Sequence, residues 1–470
     1  MQHSPIAQQL KLGAVILISA FIFAILLTPL TIAAFNPDNS IAGPSSPAPA
    51  AEATTRTGAH EEPAFSAQEP VTSFFPLGVY DKYANHDGRG FTDPKWRDYY
   101  RRVFTLLQAH NLNTIVSPYL CDAEDIIDFV ELAASYDIAV VLRSNPEGCL
   151  RPTPEHLVHE AYGHPSVIAF MYGDEPAEAD VERYRRNYEH LATYYPDKPV
   201  VTAMVGEDVE ENGGFPVRVW EELDPQVRMI RFYPFRYNKY NLVDWFDGPE
   251  GFGVAPDQAF HIIEQANGQT PWWYVPQVFG QPAYGAGMNY PTPQDIRALT
   301  HTALANGARA LLGFSLQNEQ GPVFWRALVN QALESEGDNL AMYGELAGIF
   351  RKHSDLLLRH LPAEFDIDNN CNACSAVARY DPHTGEQYVY LVNRDSVTAH
   401  VSSLTIDVAL VEQIQDIYSG QAYDIRMTDG RPTITVTLEP GEGQFLRLTT
   451  ASQKTYLPYV SHLEAILFPS

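Results

Sequence analysis

The run Tyr172-Gly173-Asp174-Glu175-Pro176 closes an apolar stretch with two adjacent carboxylates and a proline that stops a strand. Two neighbouring carboxyl groups push their titrations apart, so one can hold a proton and act as an acid while the other stays charged. The same pair has a structural role open to it, because Asp caps helices well and acids suit a helix's first turn. Other apolar runs also end in polar or aromatic residues: Tyr80 and Asp81; Arg143 and Asn145; Arg231, Tyr233 and Arg236; Trp272, Trp273, Tyr274 and Gln277; Gln317, Asn318 and Glu319. Carboxylates, amides, guanidinium groups and aromatic rings gathered on one rim describe a sugar site, since rings stack on pyranose faces and the polar groups bind hydroxyls. The catalytic candidates are Glu175, Asp174 and Glu319; the substrate-binding candidates are Tyr80, Asp81, Arg143, Tyr233, Trp273 and Gln277. Aromatic residues inside strands are equally suited to a core, and Glu319, in the polar stretch QNEQGP, equally suited to solvent. No GxSxG, HExxH or Walker pattern occurs, and the 15 histidines are scattered, so neither a metal nor a cofactor is implied.

These candidates need elements that bring them to one rim. From Phe74 onward, short apolar runs alternate with helical patterns about 30 to 40 residues apart, as parallel strands joined by helices require. Eight runs qualify: residues 75–80, 113–119, 138–144, 166–175, 199–206, 227–235, 271–279 and 308–316. Amphipathic stretches lie between them, among them Pro94 to His110, with Tyr99, Val103, Leu106 and Leu107 at helical spacing, and Glu124 to Tyr136. The pattern predicts an α/β fold, a (β/α)8 TIM barrel whose strand C-termini carry the site. An open doubly wound sheet would show a glycine-rich loop after its first strand, where Tyr80-Asp81-Lys82-Tyr83 stands instead. After a last helix over about Asn339 to Leu361, residues 388–393, 401–408, 412–418 and 433–440 alternate or run apolar between turn residues, which predicts a small antiparallel β-sandwich.

The chain of 470 residues carries a formal charge of −27 and no basic run, which excludes nucleic acid as a partner. Residues 12–35 form an uncharged apolar segment long enough for a bilayer, with Lys11 on one flank and acidic residues on the other. It reads as a signal peptide or an N-terminal membrane anchor, with the remainder outside the cell and held to the membrane if the segment stays uncleaved. The expected organisation is therefore 1–35 signal or anchor, 36–70 a Pro/Ala/Ser/Thr-rich linker, 71–361 the barrel, 362–450 the β-sandwich and 451–470 a tail. Cysteines fit an exported chain: Cys121 and Cys149 follow successive strands and could bridge one rim, and Cys371 and Cys374 suit a small local disulfide.

The stretches HPSVIAFMYGDEP (164–176), RFYPF (231–235), PQVFG (276–280) and YPTPQDIRALTHTALANGARALLGFS (290–315) resemble the glycoside hydrolase superfamily of TIM barrels, particularly bacterial members with a DEP motif on strand four. YVYLVNRD, DIYSG and LEPGEGQFLRL resemble the β-sandwich that often follows such barrels. The resemblance implies a carbohydrate substrate and places the acid/base glutamate at Glu175. It also implies a glutamate nucleophile at the end of strand seven, where this chain has Gln277 and no acid between Thr270 and Asn289. Hydrolysis normally takes two carboxyl groups. Three arrangements stay open: Glu175 as acid with Asp174 orienting an acetamido group of the substrate; Glu319 or Asp81 as a base across the mouth, at the carboxyl separation of about 6.5 to 9.5 Å that goes with inversion; or a site that only binds carbohydrate.

Overall fold

The structure, a computed structural model, describes residues 74–81, 94–120, 123–143, 155–210, 214–235, 242–243, 255–268, 270–280, 288–318 and 325–451. The apolar segment 12–35, the linker 36–70, Cys121, Cys149, Glu319 and the tail from 452 lie outside them. Among the described residues no helix is long and apolar enough to cross a membrane.

Eight strands, β1 (Leu77–Tyr80), β2 (Thr114–Val116), β3 (Ala139–Arg143), β4 (Val167–Asp174), β5 (Val200–Val205), β6 (Arg228–Phe232), β7 (Trp272–Pro276) and β8 (Ala308–Gly313), close into a barrel in chain order, β8 pairing in parallel with β1. Their near-continuous apolar character follows from burial on both faces. On β6, Ile230 and Phe232 face the surrounding helices, while Met229 enters the barrel interior with Trp273 of β7 and Leu312 of β8. Helices α1 (Pro94–Ala109), α2 (Ala123–Ala134), α3 (Glu155–Gly163), α4 (Val181–Tyr194), α5 (Gly214–Leu223), α6 (Pro256–Asn267) and α7 (Pro293–Ala305) follow the first seven strands in turn. The buried stripe of α1 is Tyr100, Val103, Phe104 and Leu107, so Tyr99 and Leu106, expected in it, sit at its half-buried edge. After β8 the single expected helix is two, α8 (Asn339–Lys352) and α9 (Ser354–Arg359), broken at His353, whose ring packs on Tyr418 of the following domain.

That domain is an antiparallel sandwich. One sheet has the order β10 (Ile367–Asn369), β13 (His400–Ile406), β17 (Arg431–Leu438), β16 (Arg426–Thr428). The other runs β15 (Ala422–Tyr423), β14 (Val411–Asp416), β18 (Gly443–Thr450), β12 (Gln387–Asn393), β11 (Cys374–Tyr380), β9 (Leu361–Pro362). On β17, Pro432, Ile434, Val436 and Leu438 are buried and the threonines between them are not, the period-two pattern of a strand with one face on a core. Cys371 and Cys374 form the local disulfide.

Barrel and sandwich share helix α7, which explains its sequence. Pro293 at its first turn and the reciprocal Thr292–Asp295 hydrogen bonds start it, and every residue from Ala298 to Ala305 is buried. Polar residues tolerate this because Thr300 and Thr302 donate to the carbonyls of Ile296 and Ala298, and His301 Nδ1 lies 2.9 Å from the Tyr390 hydroxyl. Sandwich strand β18 comes close enough that a β-carbon at Gly443 would lie 2.4 Å from the His301 ring. Two ion pairs pin the contact: buried Arg379 of β11 on Glu264 of α6, and Arg394 on Asp257 at 2.9 Å.

Burial, with a smaller contribution from Arg297, lowers the His301 pKa to about 3; burial also lowers that of His360, with Arg379 and Arg309 adding to it. Both rings are neutral in the fold, whereas in the unfolded chain they protonate below about pH 6.5. Unfolding therefore takes up protons, and their contribution to stability, intact above that pH, declines as the pH falls from about 6.5 toward the folded values. The thermal unfolding midpoint should drop between about pH 7 and pH 5, before most carboxylates titrate, and His301→Gln should flatten that drop. An unchanged slope in the variant would assign the proton uptake to other groups.

Candidate functional site

The C-terminal mouth of the barrel is organised by a break in β4. Its pairing with β5 runs Phe170–Val200 and Met171–Val201, then resumes only at Asp174–Ala203. The extra residue re-aims the strand end, as bulges do beside active sites. Gly173 takes φ 91°, and a β-carbon there would lie 2.1 Å from the Tyr184 ring of α4, so only glycine fits. Glu175 takes φ 57°, its amide held by the Ala203 carbonyl at 2.9 Å. For a residue with a β-carbon this left-handed conformation costs about 1–2 kcal/mol, and such strain gathers at functional positions.

The two carboxylates meet arginines from either side. Asp174 faces Arg143 of β3, Oδ2 to Nη2 3.3 Å, and Glu175 faces Arg231 of β6, Oε1 to Nε 2.5 Å. Both arginine side chains are nearly buried, Asp174 is a quarter exposed, and Glu175 is 46% exposed, the most accessible of the four. Arg143 also lies over the Tyr119 ring at 3.8 Å, and its Nε has no acceptor. Tyr119, 43% exposed, turns aromatic surface to solvent at the rim.

Beneath the charges is an aromatic floor. Tyr80 and Tyr233 both pack on Phe314, at centroid distances of 5.5 and 5.8 Å, and Tyr233 meets Phe279 edge-on at 5.0 Å. Trp325, from the chain after β8, stacks on Phe279 at 4.9 Å. The Tyr80 hydroxyl donates to Met229 Sδ at 3.3 Å, and Arg231 lies 4.8 Å from the Tyr233 ring centre. Burial and then the charge of Asp174 push the Tyr80 hydroxyl well above its ordinary pKa. Burial does the same to Tyr233, with Arg231 opposing and Asp174 adding. Both phenols stay protonated.

The structure thus brings Asp174, Glu175, Arg143, Tyr80 and Tyr233 together, and adds Arg231, Tyr119, Phe279, Phe314 and Trp325. Three expected members do something else. Asp81 is fully buried and accepts from the Tyr100 hydroxyl of α1 at 2.6 Å, so it points behind the barrel wall and offers no base to the mouth. Trp273, 1% exposed, fills the barrel interior level with Met229. Gln277 is 0% exposed, and its amide is spent on backbone: Oε1 accepts from Phe235 N at 3.0 Å, and Nε2 donates to the carbonyls of Asn289, Phe279 and Phe235 at 3.0, 3.2 and 3.4 Å. It clamps the chain segments beyond β6 and β7. Gln317 and Asn318 likewise hold the chain after β8, the latter through Ala327 N and Glu336. Glu319 lies outside the described residues, and among those residues no cluster of three His, Cys, Asp or Glu is placed to hold a metal ion.

The sequence matches no protein-family model and no curated protein. Solved structures do match. A catalytic mutant of Gan42B, a GH42 β-galactosidase from G. stearothermophilus, is 9% identical over 81% of this chain and 99% of its own, with a TM-score of 0.54. AbfB, a family 51 α-L-arabinofuranosidase from Bifidobacterium longum, is 12% identical over 81% of this chain and 97% of its own, TM-score 0.45. AmyP in complex with maltotriose is 12% identical over 80% and 97%, TM-score 0.47. At 9% identity the likeness to Gan42B is one of fold, and it spans almost all of that protein. Architecture and comparison define the fold: a (β/α)8 TIM barrel followed by an antiparallel β-sandwich.

The β4 break generates a test. Gly173→Ala should lower stability by about 1–3 kcal/mol in chemical denaturation, through overpacking against Tyr184 and strain at positive φ. Gly163→Ala, whose added methyl meets nothing within 4 Å, should not. Equal behaviour of the two would mean that the bulge is not under steric control.

Proposed function

We propose that this protein is an exported glycoside hydrolase acting on an oligo- or polysaccharide at the barrel mouth, with Glu175 as general acid. The observation that carries the reading is the end of β4, where glycine-dependent geometry holds a strained, half-exposed Glu175 over an aromatic floor. The surroundings suit a sugar: the half-exposed Tyr119 offers a ring to a pyranose face, and Arg143 and Arg231 offer donors to hydroxyls. A general acid must carry a proton and reach the glycosidic oxygen within about 2.6–3.2 Å. Glu175 therefore exchanges its Arg231 pair for the leaving oxygen when substrate enters, and Arg231 then steadies the carboxylate left after proton transfer. The uncharged segment 12–35 supports export and, if it stays uncleaved, attachment to the membrane.

One observation favours a second reading. The Gln277 amide is locked on backbone where the resemblance implies a nucleophile, as in a carbohydrate-binding or cell-surface protein built on a barrel without catalysis.

The test is product release from a broad glycan panel, N-acetylated sugars included, with Glu175→Gln run beside the unmodified protein. Release should fall by roughly 10²-fold or more in the variant, the scale of losing general acid catalysis, while its unfolding midpoint and glycan binding persist. Full activity in Glu175→Gln would sink the assignment. Saturable binding by both proteins with no product from either would decide for the second reading.

A further inference from the structure

At the end of the barrel opposite the mouth, the seam between barrel and sandwich holds more positive charge than it balances. Arg379 of β11 takes both oxygens of Glu264, Nη1 on Oε1 and Nη2 on Oε2 at 2.9 Å, and its Nε donates to the Ala305 carbonyl at 2.8 Å. Arg359 is spent on Asp381 at 2.9 Å. Arg309, the second residue of β8, stands beside them. Gly307, two residues before it, lies so close to Glu264 that a β-carbon there would press on the carboxylate, yet Arg379 already holds both carboxylate oxygens. Burial pulls the Arg309 pKa down to about 10, Glu264 opposing and Arg379 adding, and among the described residues no group accepts a hydrogen bond from it.

A second unsatisfied group lies next to it. β9 pairs with β11 so that Pro362 is opposite Arg379, which puts His360, two residues earlier, on the Arg379 side. The His360 ring is 2% exposed and edge-on to Phe445 at 5.6 Å, and neither of its nitrogens has a hydrogen-bond partner. The charges of Arg379 and Arg309 both reach it. Buried polar groups are normally satisfied, and a buried charge normally has a counter-charge. Here a guanidinium and an imidazole share one deficit. A guanidinium only donates, and a neutral imidazole has one N–H to give. A carbonyl oxygen takes such hydrogens but leaves the charge of Arg309 standing, whereas an anion answers both needs. The burial of His360 requires that anion to be small, and Arg309, which is not fully buried, gives it a way in.

We propose that the seam binds one small monovalent anion, of halide size, between Arg309 and His360, and that this anion fastens the sandwich to the barrel. The site joins β8 to β9 at the far end of the barrel from Glu175, so it is independent of the glycosidase reading.

The experiment follows thermal unfolding of the full chain at constant ionic strength as sodium gluconate, whose anion is too bulky for the site, is replaced by sodium chloride. It is run at about pH 8, where histidines are neutral in both the folded and unfolded states. The midpoint should rise saturably with chloride, by roughly 2 °C or more, and the chloride NMR line should broaden over the same concentrations. Arg309→Met keeps the aliphatic stem and removes the charge. Its midpoint in gluconate should match or exceed that of the unmodified protein, and both its chloride response and the line broadening should be lost. His360→Leu should weaken the apparent chloride affinity by about tenfold, the scale of one hydrogen bond to a charged group. Arg218→Met, at an exposed arginine of α5, should leave both readouts intact. A chloride response of equal size in Arg309→Met, or no difference between chloride and gluconate in the unmodified protein, would overturn the inference. So would a fall of the Arg309→Met midpoint in gluconate, since the protein itself would then be supplying the arginine's partner.

Discussion

The mouth of this barrel depends on a missing β-carbon. With Gly173 against the Tyr184 ring, β4 slips by one residue relative to β5, and the slip decides where the next two side chains go. Without it the strand would continue its alternation, sending one carboxylate into the barrel and the other into the helix layer. With it, Asp174 reaches Arg143 on one side and Glu175 reaches Arg231 on the other. The left-handed backbone at Glu175 is tolerable because its amide is tied to Ala203 and its carboxylate to a nearly buried guanidinium.

Behind this local geometry stands a larger support. From Ala298 onward helix α7 is buried on all sides because the sandwich covers the face that a barrel helix normally turns to solvent, and Gly443 lets β18 settle directly on His301. The hydroxyls of Tyr390 and Tyr418 extend that contact 2.8 Å apart, and Arg379, fully buried, reaches across to Glu264. The C-terminal sheets thus brace the wall formed by β7 and β8 rather than hang from it.

Much of the architecture was legible in the chain because its physics is local. Eight apolar runs at regular spacing announced the barrel, and the strands of the sandwich showed period-two alternation at Ile434, Val436 and Leu438. The Asp174-Glu175 pair stood out because core packing has no need of acids at a strand end. The misplaced residues show what is not local. Parity within β1 could have signalled that Asp81 faces outward once Tyr80 faces in. The burial of Gln277 depends on where the chain beyond β6 and β7 folds back, which no spacing announces. The Arg231–Glu175 pair joins strands on either side of β5 and exists only once β4, β5 and β6 have paired in register. Tyr119 carried only the weak signal of an aromatic after Ser117-Pro118, past the end of a strand.

The Gln277 clamp restricts what else this position can hold. Its Nε2 hydrogens point at three carbonyl oxygens, those of Asn289, Phe279 and Phe235. A glutamate in its place would aim an anionic oxygen at the same three acceptors in a fully buried position, where an unpaired charge is least tolerated. Position 277 is therefore closed to an ionised glutamate unless the chain beyond β6 and β7 is rebuilt, and the fold acts as a filter on which residue this strand end can carry.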